Sequence, residues 1–115
     1  MFQFLRGFVL VAAIVISCAA SFAEEGFRSA NATMPGCREA EKYDSPAGAF
    51  KRGLCMGTVS TLIDVDPTIC VPSGVTNFQA VRVVVKYIDG RPARLHENFK
   101  VLAGEALRAA WPCKK

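Results

Sequence analysis

The sequence predicts an all-α fold, a small disulfide-stapled bundle of three to five helices. Three observations lead there. Apolar residues recur at spacings of three and four in two long segments and one shorter one, the helical period. Helix-start and helix-stop residues bracket those segments, and no two-residue hairpin turn separates any pair of them. Of the five cysteines in a chain of 115 residues, four, Cys37, Cys55, Cys70 and Cys113, lie beyond the N-terminal apolar run. An even cysteine set in a short exported chain reads as a disulfide framework.

The first residues carry the export signal. Arg6 supplies a positive start, and an apolar run from Phe8 to Ile16 follows. That run falls short of the ~20 residues a membrane span needs, which disfavours a retained anchor. Ser21-Phe22-Ala23 offers small residues for cleavage. We therefore expect a signal peptide over residues 1–23 and a single helical domain over residues 24–115. Val15-Ile16-Ser17-Cys18 resembles a lipobox, so the alternative is a lipoprotein signal over residues 1–17 and a lipid anchor on Cys18.

Each element follows in order. Residues 24–44 are polar and lack a period, and a short helix is expected around Cys37 to Lys42. Asn31-Ala32-Thr33 fits a glycosylation sequon and is read as an ordinary polar stretch. Ser45-Pro46 opens a strong helix: serine caps free N–H groups, and a first-turn proline sacrifices no helical hydrogen bond. Phe50, Leu54, Thr58, Thr61, Leu62 and Val65 mark its expected buried face, with Cys55 beside it. Gly53 and Gly57, one turn apart, signal either a weak helix or close approach by a neighbouring helix. Asp64 to Gly74 reads as a loop.

Thr76 and Gln79 have capping-box spacing. Val75 and Ala80 would form a staple, and Phe78, Val81, Val85 and Ile88 a buried stripe. Asp89-Gly90-Arg91-Pro92 is a break in which glycine stops one helix and proline starts the next. Leu95, Phe99, Leu102, Ala103, Ala106, Leu107 and Ala110 give the last apolar face, closed by Pro112. A short connection would make these two helices antiparallel neighbours.

The pattern excludes several function classes. No nucleophile stands beside a base, and no pair of carboxylates is set for acid–base work. Asp64 and Asp66 are close, but Asp66 precedes Pro67 and reads as a helix boundary. His96 is the only histidine, it sits near a helix start, and we expect it to be exposed. With no paired-cysteine motif, no metal site is expected. No phosphate-binding glycine loop is present, so no cofactor is expected. The formal net charge of +4 is mild and its basic residues are dispersed, which gives nucleic acid little to hold. A binding protein rather than an enzyme is the expectation.

Four cysteines allow three pairings. We expect Cys55–Cys70, closing a short excursion from the first long helix, and Cys37–Cys113, tying the irregular N-terminal segment to the chain's end.

The same residues carry a family resemblance. Gly53-Leu54-Cys55-Met56-Gly57 followed by Asp64 resembles the cysteine-glycine helix of the Tai/Rap family, immunity proteins against type VI secretion amidases. Cys70-Val71-Pro72 with Gly74-Val75-Thr76 and Gln79 is similar to that family's next block. Val83-Val84-Val85-Lys86-Tyr87 with Pro92, Leu95 and His96, and then Ala106-Leu107 and Trp111-Pro112-Cys113, are similar to its closing blocks. The resemblance runs from about Cys37 to Cys113. It implies an all-helical, disulfide-containing periplasmic protein, often a homodimer, that binds a peptidoglycan amidase effector and blocks its groove through variable loops.

Two functions then compete. The first is a periplasmic immunity protein. The alternative is a general envelope-stress or chaperone-like binding protein, with little means of a mild-acid switch given one histidine. The expected contact surfaces are the connections from Asp66 to Ser73 and from Asp89 through Gly90 to Arg91, because connections vary without disturbing a core. Arg91 is the foremost single candidate, since arginine is enriched at binding hot spots.

Overall fold

A computed structural model describes residues 28–40 and 46–114. The expected signal segment, Cys18 and the Ser45 cap lie outside the described residues. Among the described residues there are four α-helices, α1 (Ala30–Arg38), α2 (Pro46–Val65), α3 (Asn77–Asp89) and α4 (Phe99–Ala110), and one 3-10 turn at Pro92–Arg94. Among the described residues, pairing of extended backbone is limited to two isolated bridges, Ser29 with Asn98 and Ile69 with Pro112.

The short N-terminal helix begins earlier than the sequence suggests. It was expected around Cys37 to Lys42, yet α1 runs Ala30–Arg38 and contains Pro35. Asn31, Thr33, Pro35, Gly36 and Cys37 are poor helix formers, and Pro35 lies inside the helix. Tertiary contacts hold it instead. Ala30 N–H donates to the Glu97 carbonyl at 2.9 Å and Asn31 N–H to the Leu95 carbonyl at 2.8 Å. Ser29 Oγ accepts from Ala32 N–H at 3.3 Å. Gly36 faces the α2 backbone so closely that a Cβ there would collide with the Lys51 carbonyl.

Helix α2 starts at Pro46 as the sequence predicts, but its buried face is turned. Of the expected stripe only Leu62 is buried; Phe50 is 65% and Val65 67% exposed. The buried side is Cys55, Val59 and Leu62, with Arg52. The cysteine thus sits at the centre of the packed face rather than beside it. Of the two readings of Gly53 and Gly57, close approach by a neighbouring helix is not made there: a Cβ on either would meet nothing within 4 Å. It is made at Gly36.

Helix α3 opens as its spacing predicts, with Thr76 Oγ1 accepting from Gln79 N–H at 3.1 Å. Val81 and Ile88 are buried together with Ala80 and Val84, while Phe78 and Val85 pack half-buried against the core. Pro92 does not start the last helix. It starts the 3-10 turn, and α4 begins at Phe99 under an Asn98 cap whose side chain accepts from Lys100 N–H. Leu95 therefore lies in the connection, half-buried, and Ala110 is exposed. Phe99, Leu102, Ala103, Ala106 and Leu107 are buried as expected.

Two disulfides staple the bundle, and their pairing corrects the expectation. Cys37 bonds Cys55, and Cys70 bonds Cys113. The expected pairing assumed an N-terminal segment reaching for the chain's end. That segment is instead a helix packed on α2, which puts Cys37 over Cys55. The first disulfide joins α1 to the core face of α2; the second ties the α2–α3 loop to the C-terminal segment. Met34, Val59, Val84, Ile88, Leu102 and Leu107 fill the space between the four helices.

Candidate partner-binding surface

The two connections singled out by sequence are both ordered by their own side chains. In the first, Asp66 Oδ1 accepts from Thr68 N–H at 2.9 Å and from Thr68 Oγ1–H at 2.6 Å. Arg108 of α4 donates to Asp66 Oδ2 at 3.1 Å. The two Thr68 hydrogen bonds, aided by Arg108, hold the Asp66 carboxyl below its ordinary value. Ile69 is buried, and Cys70 N–H donates to the Trp111 carbonyl at 2.9 Å. With the Cys70–Cys113 bond, the base of this loop is fixed to the end of α4.

Its apex projects. Pro72, Ser73 and Gly74 are exposed. Gly74 adopts φ +90°, a left-handed conformation in which an L side chain is strained. The turn then closes on Thr76, the α3 cap. Asp66 is therefore a loop-shaping residue, and Ser73 is the member of the predicted set at the exposed apex.

The second connection is built around arginines. Arg91 lies with its guanidinium carbon 3.6 Å from the centre of the Tyr87 ring and donates through Nη1 to the Tyr87 carbonyl at 2.8 Å. Asp89 accepts from Arg38 of α1 at 2.6 Å. Gly90 keeps an ordinary right-handed conformation, φ −75°. Arg94 grips Glu105 of α4 with two bonds of 2.7 and 3.0 Å and Glu97 with one of 2.9 Å. Tyr87 Oη–H donates to the same Glu105 at 3.1 Å. The Arg94 bonds and then the Tyr87 bond hold the Glu105 carboxyl below its usual range, and Arg94 is in turn raised above an ordinary guanidinium. Arg94, Glu97, Glu105 and Tyr87 are residues that sequence reasoning missed. No local motif signals them, because the partners come from three elements.

The predicted contact residues do not form one patch. Ser73 lies before the start of α3, and Asp89, Gly90 and Arg91 lie at its end. A helix of 13 residues separates them by about 20 Å. His96 is exposed in the turn before α4. Among the described residues no three of His, Cys, Asp and Glu gather where a metal could sit. No helix among them is long and apolar enough to cross a membrane. The arrangement offers shape, charge and fixed loops.

Comparison with known proteins adds one match. The family model described as Rap1a immunity proteins matches residues 23–113, most of the 115-residue chain. No curated protein and no solved structure gave a match.

Proposed function

The chain belongs to the Rap1a immunity protein family, and from that premise we propose that it is a periplasmic protein that binds and blocks a peptidoglycan amidase delivered by a type VI secretion system. The observation that carries this reading is the family match across residues 23–113. It begins at the boundary where the sequence places signal cleavage, which supports export. Two disulfides support an oxidising compartment.

The mechanism is occlusion without turnover. A loop inserted into a catalytic groove must not lose its shape on binding, and ordering a loose loop costs affinity. The Asp66–Thr76 connection meets that need. Its base is held by a disulfide, an ion pair and a backbone bridge, and Ser73 stands at its exposed tip. The Asp89–Arg91 connection is the second contact surface, with Arg91 already stacked on Tyr87.

The test is inhibition of an amidase encoded beside this chain. Purified oxidised protein should abolish cleavage of peptidoglycan peptide stems at a molar ratio near one, with no substrate consumed by the protein alone. An adjacent amidase that neither binds nor slows would overturn the reading and leave the envelope-protein alternative ahead.

A further inference from the structure

A cavity of about 590 Å³ lies where the starts of α1 and α4 meet the middle of α2. Its volume falls in the range of small-molecule sites, about 300–1,000 Å³. Helices α1 and α4 are fixed to each other at its edge. Ser29 and Asn98 pair as an isolated bridge, and Ala30 N–H donates to the Glu97 carbonyl at 2.9 Å. On the α2 side, Thr58 Oγ1–H donates to the Leu54 carbonyl at 2.8 Å. The walls are therefore set before anything enters.

The lining carries one sign of charge. Arg28 and Lys100 contribute cations, and among the described residues no carboxylate lines it. Arg28 has an interaction within the protein. Lys100 is exposed at the second position of α4, where the positive end of the helix adds to its field. The deepest polar group is Thr33, 3% exposed and part of the same lining. Its N–H donates to the Ser29 carbonyl at 3.2 Å. Its hydroxyl is left to face the cavity, with no hydrogen-bond partner among the described residues. Such a group must be satisfied by whatever fills the space. Leu54 and Phe99 supply apolar wall.

These features select a ligand. A cation near solvent calls for an anion, a buried hydroxyl for a hydrogen-bond acceptor, and apolar walls for short aliphatic groups. A lone inorganic anion leaves most of the volume and both apolar walls unused. We propose that the cavity binds a short acylated peptide with a free C-terminal carboxylate. The carboxylate pairs with Lys100, an amide carbonyl accepts from the Thr33 hydroxyl, and small side chains lie against Leu54 and Phe99. The site engages neither the Ser73 apex nor the Asp89–Arg91 connection, so it stands or falls apart from the immunity reading.

Titration of the oxidised protein with N-acetyl-alanyl-alanine, followed by two-dimensional amide NMR, tests it. The all-L and all-D forms are titrated in parallel. At least one should shift the Thr33, Thr58 and Lys100 resonances and saturate with a dissociation constant of about 1 mM, the ordinary reach of so small a ligand. The corresponding C-terminal amide lacks the charge and should bind about tenfold more weakly, as should the acid to Lys100→Gln. Thr33→Val keeps the side chain's shape without its hydroxyl and should weaken binding about fivefold. Lys86→Gln removes the same charge from an exposed position on α3 and should leave binding unchanged. Circular dichroism checks that each variant is folded, and the Lys100 arm, on an exposed residue, stands even if Thr33→Val does not fold. Absence of shifts with either form up to about 20 mM, well above the expected constant, overturns the proposal. So does equal binding of acid and amide, or binding indifferent to Lys100→Gln or to a folded Thr33→Val. Inorganic phosphate that shifts the same resonances as tightly as the peptide would make this an ion site only and overturn it as well.

Discussion

Asp66 and Glu105 are carboxylates whose protonation the folded state opposes. Their ordinary values are 3.8 and 4.5, and both are lowered on folding, Asp66 mainly by Thr68 and Glu105 mainly by Arg94. A group with a depressed folded value contributes stability that is fully present above its unfolded value. That contribution is lost as pH falls through the folded value. The denaturant midpoint should therefore hold between about pH 7 and 5 and drop by about pH 3. Urea titrations followed by circular dichroism at each pH would show this. Glu105→Gln should flatten the acid limb while lowering the neutral-pH midpoint; an unchanged slope would place the sensitivity elsewhere. None of this was legible in sequence. Asp66 reads there as a boundary residue before Pro67, and its partner Arg108 is 42 positions away. By contrast the Thr76 cap was legible because both of its members lie within one helical turn.

Elements were legible where local signals and packing agreed. Helices α2 and α3 begin at Pro46 and Asn77 because a first-turn proline and a capping threonine act locally. Helix α1 was not, because Pro35 and Gly36 interrupt its helical signal and its support comes from Lys51, Cys55, Leu95 and Glu97. The phase of α2 was misread for a different reason. Its apolar residues occupy two faces, and periodicity alone does not say which of them meets the core. The displaced α1 also explains the misread disulfides, and their positions set an order of reactivity. Cys37 and Cys55 are 3% and 0% exposed, whereas Cys70 is exposed and Cys113 half-buried. The bonds span 18 and 43 residues, so loop-closure entropy assigns them about 3 and about 4 kcal/mol. Under graded dithiothreitol, alkylation and mass mapping should find Cys70 and Cys113 free first, with the helical spectrum largely kept. Release of Cys37 and Cys55 should then coincide with loss of α1. Simultaneous release of all four would refute that order.

For the whole molecule, the all-α, disulfide-stapled bundle of three to five helices was legible in the sequence, and four helices are found among the described residues. The sequence already sets Ser73 before the helix capped by Thr76 and Arg91 in the break after it, and the fold keeps them at opposite ends of α3. That separation makes the contact end measurable. Ser73→Arg enlarges one tip, and Arg91→Glu reverses charge at the other, each on an exposed residue. If the loop tip enters the effector's groove, Ser73→Arg should weaken inhibition at least tenfold, a loss of about 1.4 kcal/mol, and Arg91→Glu should cost less. Calorimetric titration of both variants reads the difference, and the reverse ranking would move the contact to the Arg91 end. The bundle also has a direction. The chain enters it beside Leu95 and Glu97, where Ala30 and Asn31 are held, and the Ser73 loop is fastened beside Trp111 and Cys113. The 12 residues of α4 put about 18 Å between those places. A tether attached ahead of α1, whether lipid or fused domain, therefore leaves the Ser73 loop as the membrane-distal tip, and a tether attached after Cys113 turns that tip back toward its anchor.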